Sequence, residues 1–317
     1  MDTNQNLMQR RAAEKKYSIL CIDDESANLK VLSSLLKDDY RLILAKSAAQ
    51  GMTKTLELMP DLIILDVVMP QMSGFEMIEV LKNNPATTHI PVIFITGLQS
   101  VENEEKGLLL GGCDYIHKPF HHSIIRARVK NQIEIVRQRN LLEHIANIDS
   151  LTELNNRRKW VQDTDNIWLS SQLNNAQMVF GILDIDHFKT YNDSYGHQQG
   201  DIALRKISHA LKRAMFEQQG KIYRCGGEEF YFYLPAANNK TEQILNHYIS
   251  VVNELNIEHL HSRTAPRITV SIGAVQLVPS TDINLLMVME QADKLLYQVK
   301  RGSRNAAKYT AIPSLIN

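Results

Sequence analysis

The sequence predicts two folded domains joined by one long helix, with a doubly wound α/β sheet in the first domain. The chain has 317 residues, which is enough for two domains that each bury a core. Apolar strands alternate with amphipathic helical stretches from residue 17 to about residue 120, and residues 121–148 contain neither glycine nor proline. We therefore expect a first domain over 17–120, a helical linker over 121–148 and a second domain over 149–317.

Composition and charge exclude several classes of function. Lys and Arg together number 35, as do Asp and Glu, so no net field attracts nucleic acid or anionic lipid. The isolated cysteines Cys21, Cys113 and Cys225 fit a reducing compartment better than a zinc site. Residues 1–16 lack the apolar core of a signal peptide, and no run of about 18 apolar residues occurs. We predict a cytoplasmic protein with a disordered leader over 1–16 that binds neither nucleic acid nor membranes.

Five strands are predicted in the first domain, within YSILCIDD, RLILAKS, DLIILD, PVIFIT and DYIHKP. Helices are expected between them, near residues 26–38, 48–58, 74–83 and 101–110. Strands that are almost continuously apolar are typical of a parallel sheet covered by helices on both faces. Ligands bind such sheets at the carboxyl ends of the strands.

Polar side chains cluster at those strand ends: Asp23, Asp24, Asp66, Thr96 and Lys118. Three carboxylates that converge on one edge repel one another unless a cation lies between them, so they indicate a Mg²⁺ site. A carboxylate beside a metal, an ammonium and a hydroxyl can accept a phosphoryl group, because these neighbours neutralise the developing charge. Each residue taken singly fits a helix cap or an unrelated lysine better, but five at successive strand ends do not.

With DVVMPQMSG after the third strand and KPF at the fifth, this half resembles the flavodoxin-like receiver domain of two-component response regulators. The resemblance implies that Asp66 is phosphorylated and binds Mg²⁺ together with Asp23 and Asp24. It also implies receiver switch residues at Thr96 and Lys118, which contact the phosphoryl oxygens, and at Tyr115, which changes rotamer. The Lys118-Pro119 bond would be cis by the same resemblance. Because no kinase motif is present, the expected partner is a cognate histidine kinase or a small phosphodonor.

The linker is expected to form one helix with an interrupted apolar stripe. The stripe consists of Val129, Ile133, Val136, Leu141, Ile145 and Ile148. Polar residues around Asn140 favour a marginal homodimer over a permanent coiled coil. Packing on the first domain would explain the first two turns of the helix but not its far end. The basic residues are interpreted as a solvated face: Arg126, Arg128, Lys130, Arg137 and Arg139.

In the second domain, RCGGEEFYFYLP over residues 224–235 predicts a β-hairpin with a charged tip. Gly226 and Gly227 are expected to turn with positive φ and to leave room for a bulky ligand. Glu228 and Glu229 then project from the tip. Taken alone, this motif fits an acidic solvated turn as well as it fits a metal site.

A second acidic segment, ILDIDHFKTYND, favours the metal site. The apolar run before it reads as a buried strand that ends in Asp184, Ile185 and Asp186. Carboxylates at a strand end beside an acidic hairpin describe a site for Mg²⁺ (or Mn²⁺) built from side chains, a backbone carbonyl and substrate phosphates. Lys189 and Arg224 supply positive charge for those phosphates.

The second half resembles the GGDEF domain of diguanylate cyclases in five segments that follow one another in order. These are DSLTELNNRR (149–158), DIDHFKTYNDSYGHQQGD (184–201), RCGGEEF (224–230), TVSIGA (269–274) and ADKLLYQVKRGSRN (292–305). The resemblance implies an α/β, nucleotide-cyclase-like (palm-type) fold. It also implies that a homodimer, with one GTP in each half-site, makes cyclic di-GMP and two pyrophosphates.

The same resemblance implies roles for single residues. Asp184, the Ile185 carbonyl and Glu228 would bind Mg²⁺, Glu229 would serve a second ion, and Glu228 would accept the proton. The remaining positions would contact substrate, with Lys189, Lys300 and Arg304 on the phosphates and Asn192, His197 and Asp201 around the base. Lys300 and Arg304 are expected to be i, i+4 neighbours on the final helix, so that they can reach the same anion.

The sequence also predicts which base is bound and whether the product inhibits the enzyme. A carboxylate at Asp201 accepts both guanine donors but would face the adenine acceptor unpaired, a mismatch of ~1–3 kcal/mol. GTP alone is therefore the expected substrate, and relatives that make mixed adenine-guanine products carry Ser at this position. Many relatives carry an RxxD product site where this chain has EQQG over 217–220, so we expect no product inhibition there.

Two other classes of function were weighed against a phosphorylation-regulated cyclase. A noncatalytic GTP-binding adaptor would be expected to lose Asp184 or the acidic hairpin, and both are present. A transcription regulator would need a basic recognition helix, and no such pattern occurs in the sequence.

Overall fold

The computed structural model describes residues 16–97, 101–236 and 240–312. It divides the chain into two compact units, Met1–Leu142 and Glu143–Asn317. The predicted disordered leader, apart from Lys16, lies outside the described residues. None of the helices that the structure describes combines the length and apolar character needed to cross a lipid bilayer.

The first unit contains the predicted parallel sheet, in the strand order β2-β1-β3-β4-β5. Its strands are β1 (Ser18–Ile22), β2 (Arg41–Ala45), β3 (Leu62–Asp66), β4 (Val92–Thr96) and β5 (Asp114–His117). The helices between them are α1 (Ser26–Leu36), α2 (Ala48–Leu58), α3 (Gly74–Asn83) and α4 (Val101–Leu109). Successive strand residues enter separate apolar clusters on the two faces of the sheet, so the doubly wound fold is confirmed.

The start of α3 is fixed close to the end of β3. Ser73 accepts a hydrogen bond from the Glu76 N–H, and the Glu76 carboxylate accepts one from the Ser73 N–H, which forms a capping box. A Cβ on Gly74 would lie 2.3 Å from the Asp66 carbonyl oxygen. Glycine therefore lets the helix begin directly against the strand that carries Asp66.

The linker forms a 26-residue helix, α5 (His122–Asn147). Its buried apolar side chains are Ile125, Val129, Ile133 and Val136, so the packed portion is longer than the predicted two turns. Farther along, Leu141, Leu142 and Ile145 are exposed. The basic face is not wholly solvated as predicted, because Arg128 pairs with Asp114 and Arg139 donates to the His89 carbonyl at 2.7 Å.

The second unit is built on a six-stranded mixed sheet in the order β11-β10-β7-β9-β8-β6. Its strands are β6 (Asn155–Asn156), β7 (Met178–Ile185), β8 (Lys221–Gly226), β9 (Glu229–Pro235), β10 (Val270–Leu277) and β11 (Ala307–Ala311). Its helices are α6 (Arg157–Leu173), α7 (Phe188–Tyr195), α8 (His197–Glu217), α9 (Thr241–Glu254) and α10 (Leu285–Arg301). The central strand β7 is buried along its whole length. Its carboxyl end lies beside the β8–β9 hairpin, as the two acidic segments require.

Candidate phosphoacceptor and catalytic sites

In the first unit, three carboxylates meet at the carboxyl ends of β1 and β3. Asp23, Asp24 and Asp66 each place an oxygen within 4.8 Å of the others, and Asp24 alone of the three is exposed. The Lys118 ammonium lies 2.7 Å from Asp66 Oδ2 and 3.2 Å from Asp23 Oδ2. The sheet thus brings the predicted acids and lysine to one point.

The electrostatics of this cluster fit a divalent cation. Burial, aided by the charge of Asp23, raises the pKa of Asp66 to about 6 against the opposing effect of Lys118. Three carboxylates face one ammonium, and oxygen ligands are those that Mg²⁺ prefers. These residues therefore suit Mg²⁺ both in ligand type and in charge.

Of the predicted switch residues, Thr96 and Lys118 lie at this edge of the sheet, whereas Tyr115 is the second residue of β5. Thr96 ends β4, and its carbonyl accepts a hydrogen bond from the Lys118 N–H at 2.9 Å. The Tyr115 ring is buried and stacks on Phe94, and its hydroxyl donates to the Asn103 carbonyl at 3.0 Å. The Lys118-Pro119 peptide bond is cis, as the resemblance predicted.

In the second unit, the end of β7 meets the tip of the hairpin. Asp184 pairs with Glu229 in the β7–β9 ladder, and the Ile185 N–H points at the Glu228 carbonyl, 3.4 Å away. Asp184 Oδ2 also lies 2.8 Å from the Lys300 ammonium. The predicted metal ligands therefore belong to adjacent positions on neighbouring strands.

Asp184 lies in an environment that disfavours its charged form. Burial raises its pKa to about 6, the Lys300 ammonium opposes that rise, and the charges of Glu228 and Glu229 add to it. Within the described ranges, these acids do not form a set of three oxygens within 4.8 Å, whereas the acids of the first unit do. The excess negative charge near Asp184 nevertheless suits a cation held by side chains together with substrate phosphates.

The hairpin tip differs from the prediction in its backbone. Neither Gly226 nor Gly227 has a φ in the left-handed region, so the expected positive φ is wrong. The reason is a bulge between Arg224 and Gly226, which turns the chain without left-handed residues at the glycines. The expected room is present, because a Cβ on Gly227 would meet no described atom within 4 Å.

Arg224 has its guanidinium engaged within the protein. It donates to the Gly227 carbonyl from Nε at 3.0 Å and Nη2 at 2.9 Å, and from Nη1 to Asp149 Oδ1 at 2.9 Å. Burial alone would raise the pKa of Asp149, but hydrogen bonds from Thr152 and Arg224 hold this pKa below its usual value. Arg224 therefore ties the hairpin turn to Asp149, and its contact with a phosphate stays a prediction.

Asp186, expected at the end of the buried strand, has a structural role that was not predicted from the sequence. It is 1% exposed and accepts hydrogen bonds from the Thr269 and Ser271 hydroxyls, both at 2.7 Å, and from the Asn305 N–H at 3.1 Å. It thereby ties the end of β7 to the start of β10 and to the loop after α10. The acidic residue two positions after Asp184, followed by a polar turn, was the available signal.

The loop after α10 changes the expected geometry of Arg304. The helix ends at Arg301, and Arg304 has a φ of 52°, so Lys300 and Arg304 are not neighbours on one helix as predicted. The Arg304 guanidinium donates to the Lys300 carbonyl, and its Nε lies 3.9 Å from Asp186 Oδ1. Arg304 is therefore placed by Asp186 and not by helical periodicity.

The residues predicted to surround the base lie on either side of a break between two helices. Gly196, with a φ of 84°, separates α7, which carries Lys189 and Asn192, from α8, which begins at His197. Lys189, His197 and Asp201 are all exposed. Asn192 Oδ1 is buried and finds no hydrogen-bond partner in the part of the chain that the structure describes. An unpaired polar atom of this kind suits a ligand that offers a hydrogen-bond donor.

Comparisons with known proteins identify both units. A family model described as diguanylate cyclase, GGDEF domain, matches residues 146–306, and one described as response regulator receiver domain matches residues 19–130. The response regulator PleD of Caulobacter vibrioides is 28% identical over 307 residues, which cover 91% of this chain and 64% of PleD.

Two further similarities are partial. A probable cyclic di-GMP phosphodiesterase of Vibrio cholerae is 38% identical over 125 residues, which cover 39% of this chain and 28% of that protein. This chain therefore spans less than two thirds of the length of either curated relative. The crystal structure of the coiled coil and GGDEF domain of DgcB from Caulobacter crescentus, in complex with c-di-GMP, aligns with a TM-score of 0.50. It is 28% identical and covers 59% of this chain and 100% of its own.

Proposed function

Because the chain belongs to the diguanylate cyclase GGDEF family and carries a response regulator receiver domain, we propose that it is a phosphorylation-regulated diguanylate cyclase. The reaction joins the ribose 3′-oxygen of one GTP to the α-phosphorus of another and releases pyrophosphate, and it occurs twice for each cyclic di-GMP. The observation that carries the proposal is the meeting of Asp184 with the acidic hairpin at the end of the buried strand β7.

The metal ligands of this proposal are Asp184, Glu228, Glu229 and the Ile185 carbonyl. A bound Mg²⁺ or Mn²⁺ would neutralise the triphosphate and lower the pKa of the attacking hydroxyl. Glu228 accepts the proton of that hydroxyl. The hairpin leaves open space at Gly227, so a triphosphate can lie close to the backbone there.

The phosphates are bound by three cations that approach from different elements. Lys189 extends from α7, Lys300 from the last turn of α10, and Arg304 from the loop after that helix. The ion pair of Lys300 with Asp184 and the contact of Arg304 with Asp186 hold both cations at the end of β7. Positions fixed before substrate arrives reduce the entropy lost on binding.

Guanine is proposed to bind at the break between α7 and α8. The buried, unpaired Asn192 Oδ1 and the exposed Asp201 carboxylate supply acceptors for the guanine N–H donors, with His197 beside them. ATP is expected to be a poor substrate, because the Asp201 carboxylate would face the acceptor nitrogen of adenine without a donor between them. Because EQQG replaces RxxD over residues 217–220, we propose that product does not inhibit at that position.

Catalysis is proposed to require two subunits, because each site holds one GTP and the reaction consumes two. The exposed side chains of Leu141, Leu142 and Ile145 offer an apolar stripe for pairing the two linker helices. Phosphorylation of Asp66 would favour the arrangement in which the sites face each other and would thereby raise their effective concentration. The phosphate would come from a histidine kinase or a small phosphodonor.

The experiment that tests this proposal is incubation of the full chain with GTP and Mg²⁺, followed by chromatography of the nucleotides. We expect cyclic di-GMP in amounts that rise when acetyl phosphate is added. Asp66→Asn should retain the basal rate but lose the response, and Glu228→Gln should abolish product while GTP binding persists. GTP binding without cyclic di-GMP under either condition would indicate a noncatalytic adaptor and refute the proposal.

A further inference from the structure

His259 is a fully buried histidine outside the set of substrate-binding residues named above. Its side chain is 0% exposed, and its Nε2 lies 3.3 Å from the His187 carbonyl oxygen. Its Nδ1 is also buried, and no described residue offers it a hydrogen bond. A proton on Nε2 satisfies the carbonyl, whereas a proton on Nδ1 would have no acceptor, so the ring is neutral with its proton on Nε2.

The carbonyl that His259 binds belongs to an unusual turn. His187 joins β7 to α7 with a φ of 55°, and its side chain does not cap the helix. A residue other than glycine is strained in this left-handed region, so surrounding contacts must hold it there. Asp186, the residue before His187, is held by the hydrogen bonds that it accepts from Thr269 and Ser271. His187 itself is held by the contact between its carbonyl and His259.

The loop that carries His259 is itself firmly docked on α7. The Ile268 N–H donates to the Ile257 carbonyl at 2.8 Å and closes the loop. The Tyr195 hydroxyl accepts the Leu260 N–H at 3.0 Å. The His259 ring meets the Tyr191 ring edge to face, with centroids 5.2 Å apart. These contacts give the loop the rigidity needed to position its neighbour.

We propose that His259 is a positioning residue for GTP capture, because its hydrogen bond to the His187 carbonyl sets where α7 begins. The helix presents Lys189 to the phosphates and Asn192 to the base, so a shift at its first turn displaces both. His259 acts through His187 and does not contact the substrate. The inference rests on the proposed function, because it assigns GTP to the face of α7.

Three substitutions of His259 separate positioning from packing. The amide nitrogen of Gln reaches about as far as Nε2, so His259→Gln can keep the hydrogen bond to His187. Asn reaches only about as far as Nδ1, and Phe fills the space without a donor. The matched control is His261→Phe, since His261 is exposed in the same loop and also contacts Tyr195 edge to face.

The measurement is the Kd of the full chain for a fluorescent, non-hydrolysable GTP analogue with Mg²⁺, together with the Tm and with KM and kcat for GTP. Loss of one buried hydrogen bond should raise the Kd and KM about tenfold in His259→Asn and His259→Phe. The kcat at saturating GTP should change less. His259→Gln and His261→Phe should stay within about twofold of the wild type.

Several results would overturn the proposal. Equal Kd values in all the variants would do so. Equal losses of GTP affinity in His259→Gln and His259→Asn, in proportion to their losses in Tm, would do so as well. Failure of all three His259 variants to fold would assign the residue to the core and not to substrate positioning. Because the Kd needs no turnover, the expected difference between Gln and Asn can appear even if no cyclic di-GMP forms. Failure of the cyclase proposal and failure of this one are therefore distinguishable.

Discussion

Gly200 provides a direct test of the proposed guanine site, because it lies against the side chain of Asn192. A Cβ built on Gly200 would lie 1.9 Å from Asn192 Oδ1 and 3.0 Å from its Cγ. Carbon and oxygen atoms pack no closer than about 3.3 Å, so Gly200→Ala must displace the Asn192 oxygen by more than ~1 Å. The substitution moves the side chain of Asn192, which is proposed to contact the base, and removes no proposed contact group.

The expected size of the effect follows from that displacement. A shift of about 1 Å at a substrate-positioning group can cost on the order of 100-fold in rate, and loss of one hydrogen bond to the base costs about tenfold. We expect kcat/KM for GTP to fall between ~10-fold and ~100-fold. Stability should not fall with it, because alanine in a helix is favoured over glycine by about 1 kcal/mol.

A double-mutant cycle identifies the cause of any loss. The kcat/KM for GTP and the Tm are measured for Gly200→Ala, Asn192→Ala and the combined variant. If alanine at position 200 acts only by displacing Asn192, it should cost less than about twofold once that side chain is gone. Full additivity of the two losses, or an unchanged kcat/KM in Gly200→Ala, would show that Asn192 does not read the base from this position.

Three further predictions follow from burial and charge. Because the pKa of Asp184 is raised to about 6, Mn²⁺ must displace a proton from this carboxyl group below that pH. In calorimetry, the affinity of the protein for Mn²⁺ should therefore fall about tenfold from pH 6 to pH 5 and should be constant above pH 7. The pKa of Asp66 is raised from 3.8 to about 6, so its charge destabilises the first unit at neutral pH. In urea denaturation, Asp66→Asn should raise the free energy of unfolding by ~3 kcal/mol at pH 7, and the gain should vanish as the pH falls towards 4. Leu141 and Ile145 are exposed, so their substitution by Asp should raise the dimer dissociation constant at least about tenfold without lowering the Tm. The constant is measured by analytical ultracentrifugation, and an unchanged value would exclude the linker as the dimer contact.

The strands, helices and strand-end acids were predictable because they follow local rules. Apolar periodicity identifies each buried strand, and parallel strands that end at one edge bring Asp23, Asp66 and Lys118 together whatever the remaining details. The same reasoning placed Asp184 beside the acidic hairpin. Spacing along the chain was sufficient in these cases, because the backbone ladder itself sets the neighbours.

Other features depended on partners that are distant in sequence, and the sequence alone did not reveal them. Arg224 could serve a phosphate as well as a carboxylate until the fold placed Asp149, 75 residues away, against its guanidinium. Helical periodicity assigned Arg304 to the wrong geometry, because the helix ends three residues earlier and Asp186 holds the loop that follows.

The amino-acid sequence by itself determined the two domains, their order, the acidic residues typical of each family and the strands that carry those residues. The tertiary structure alone decided which partners the charged side chains have within the protein, such as Asp149 and the Gly227 carbonyl for Arg224. It also decided that His259, which belongs to no acidic motif, contacts the carbonyl of His187, the residue before α7. The physical reason is that strand and helix patterns are set by neighbours within a few residues, whereas the partner of a charged or polar side chain is set by elements that only folding brings together.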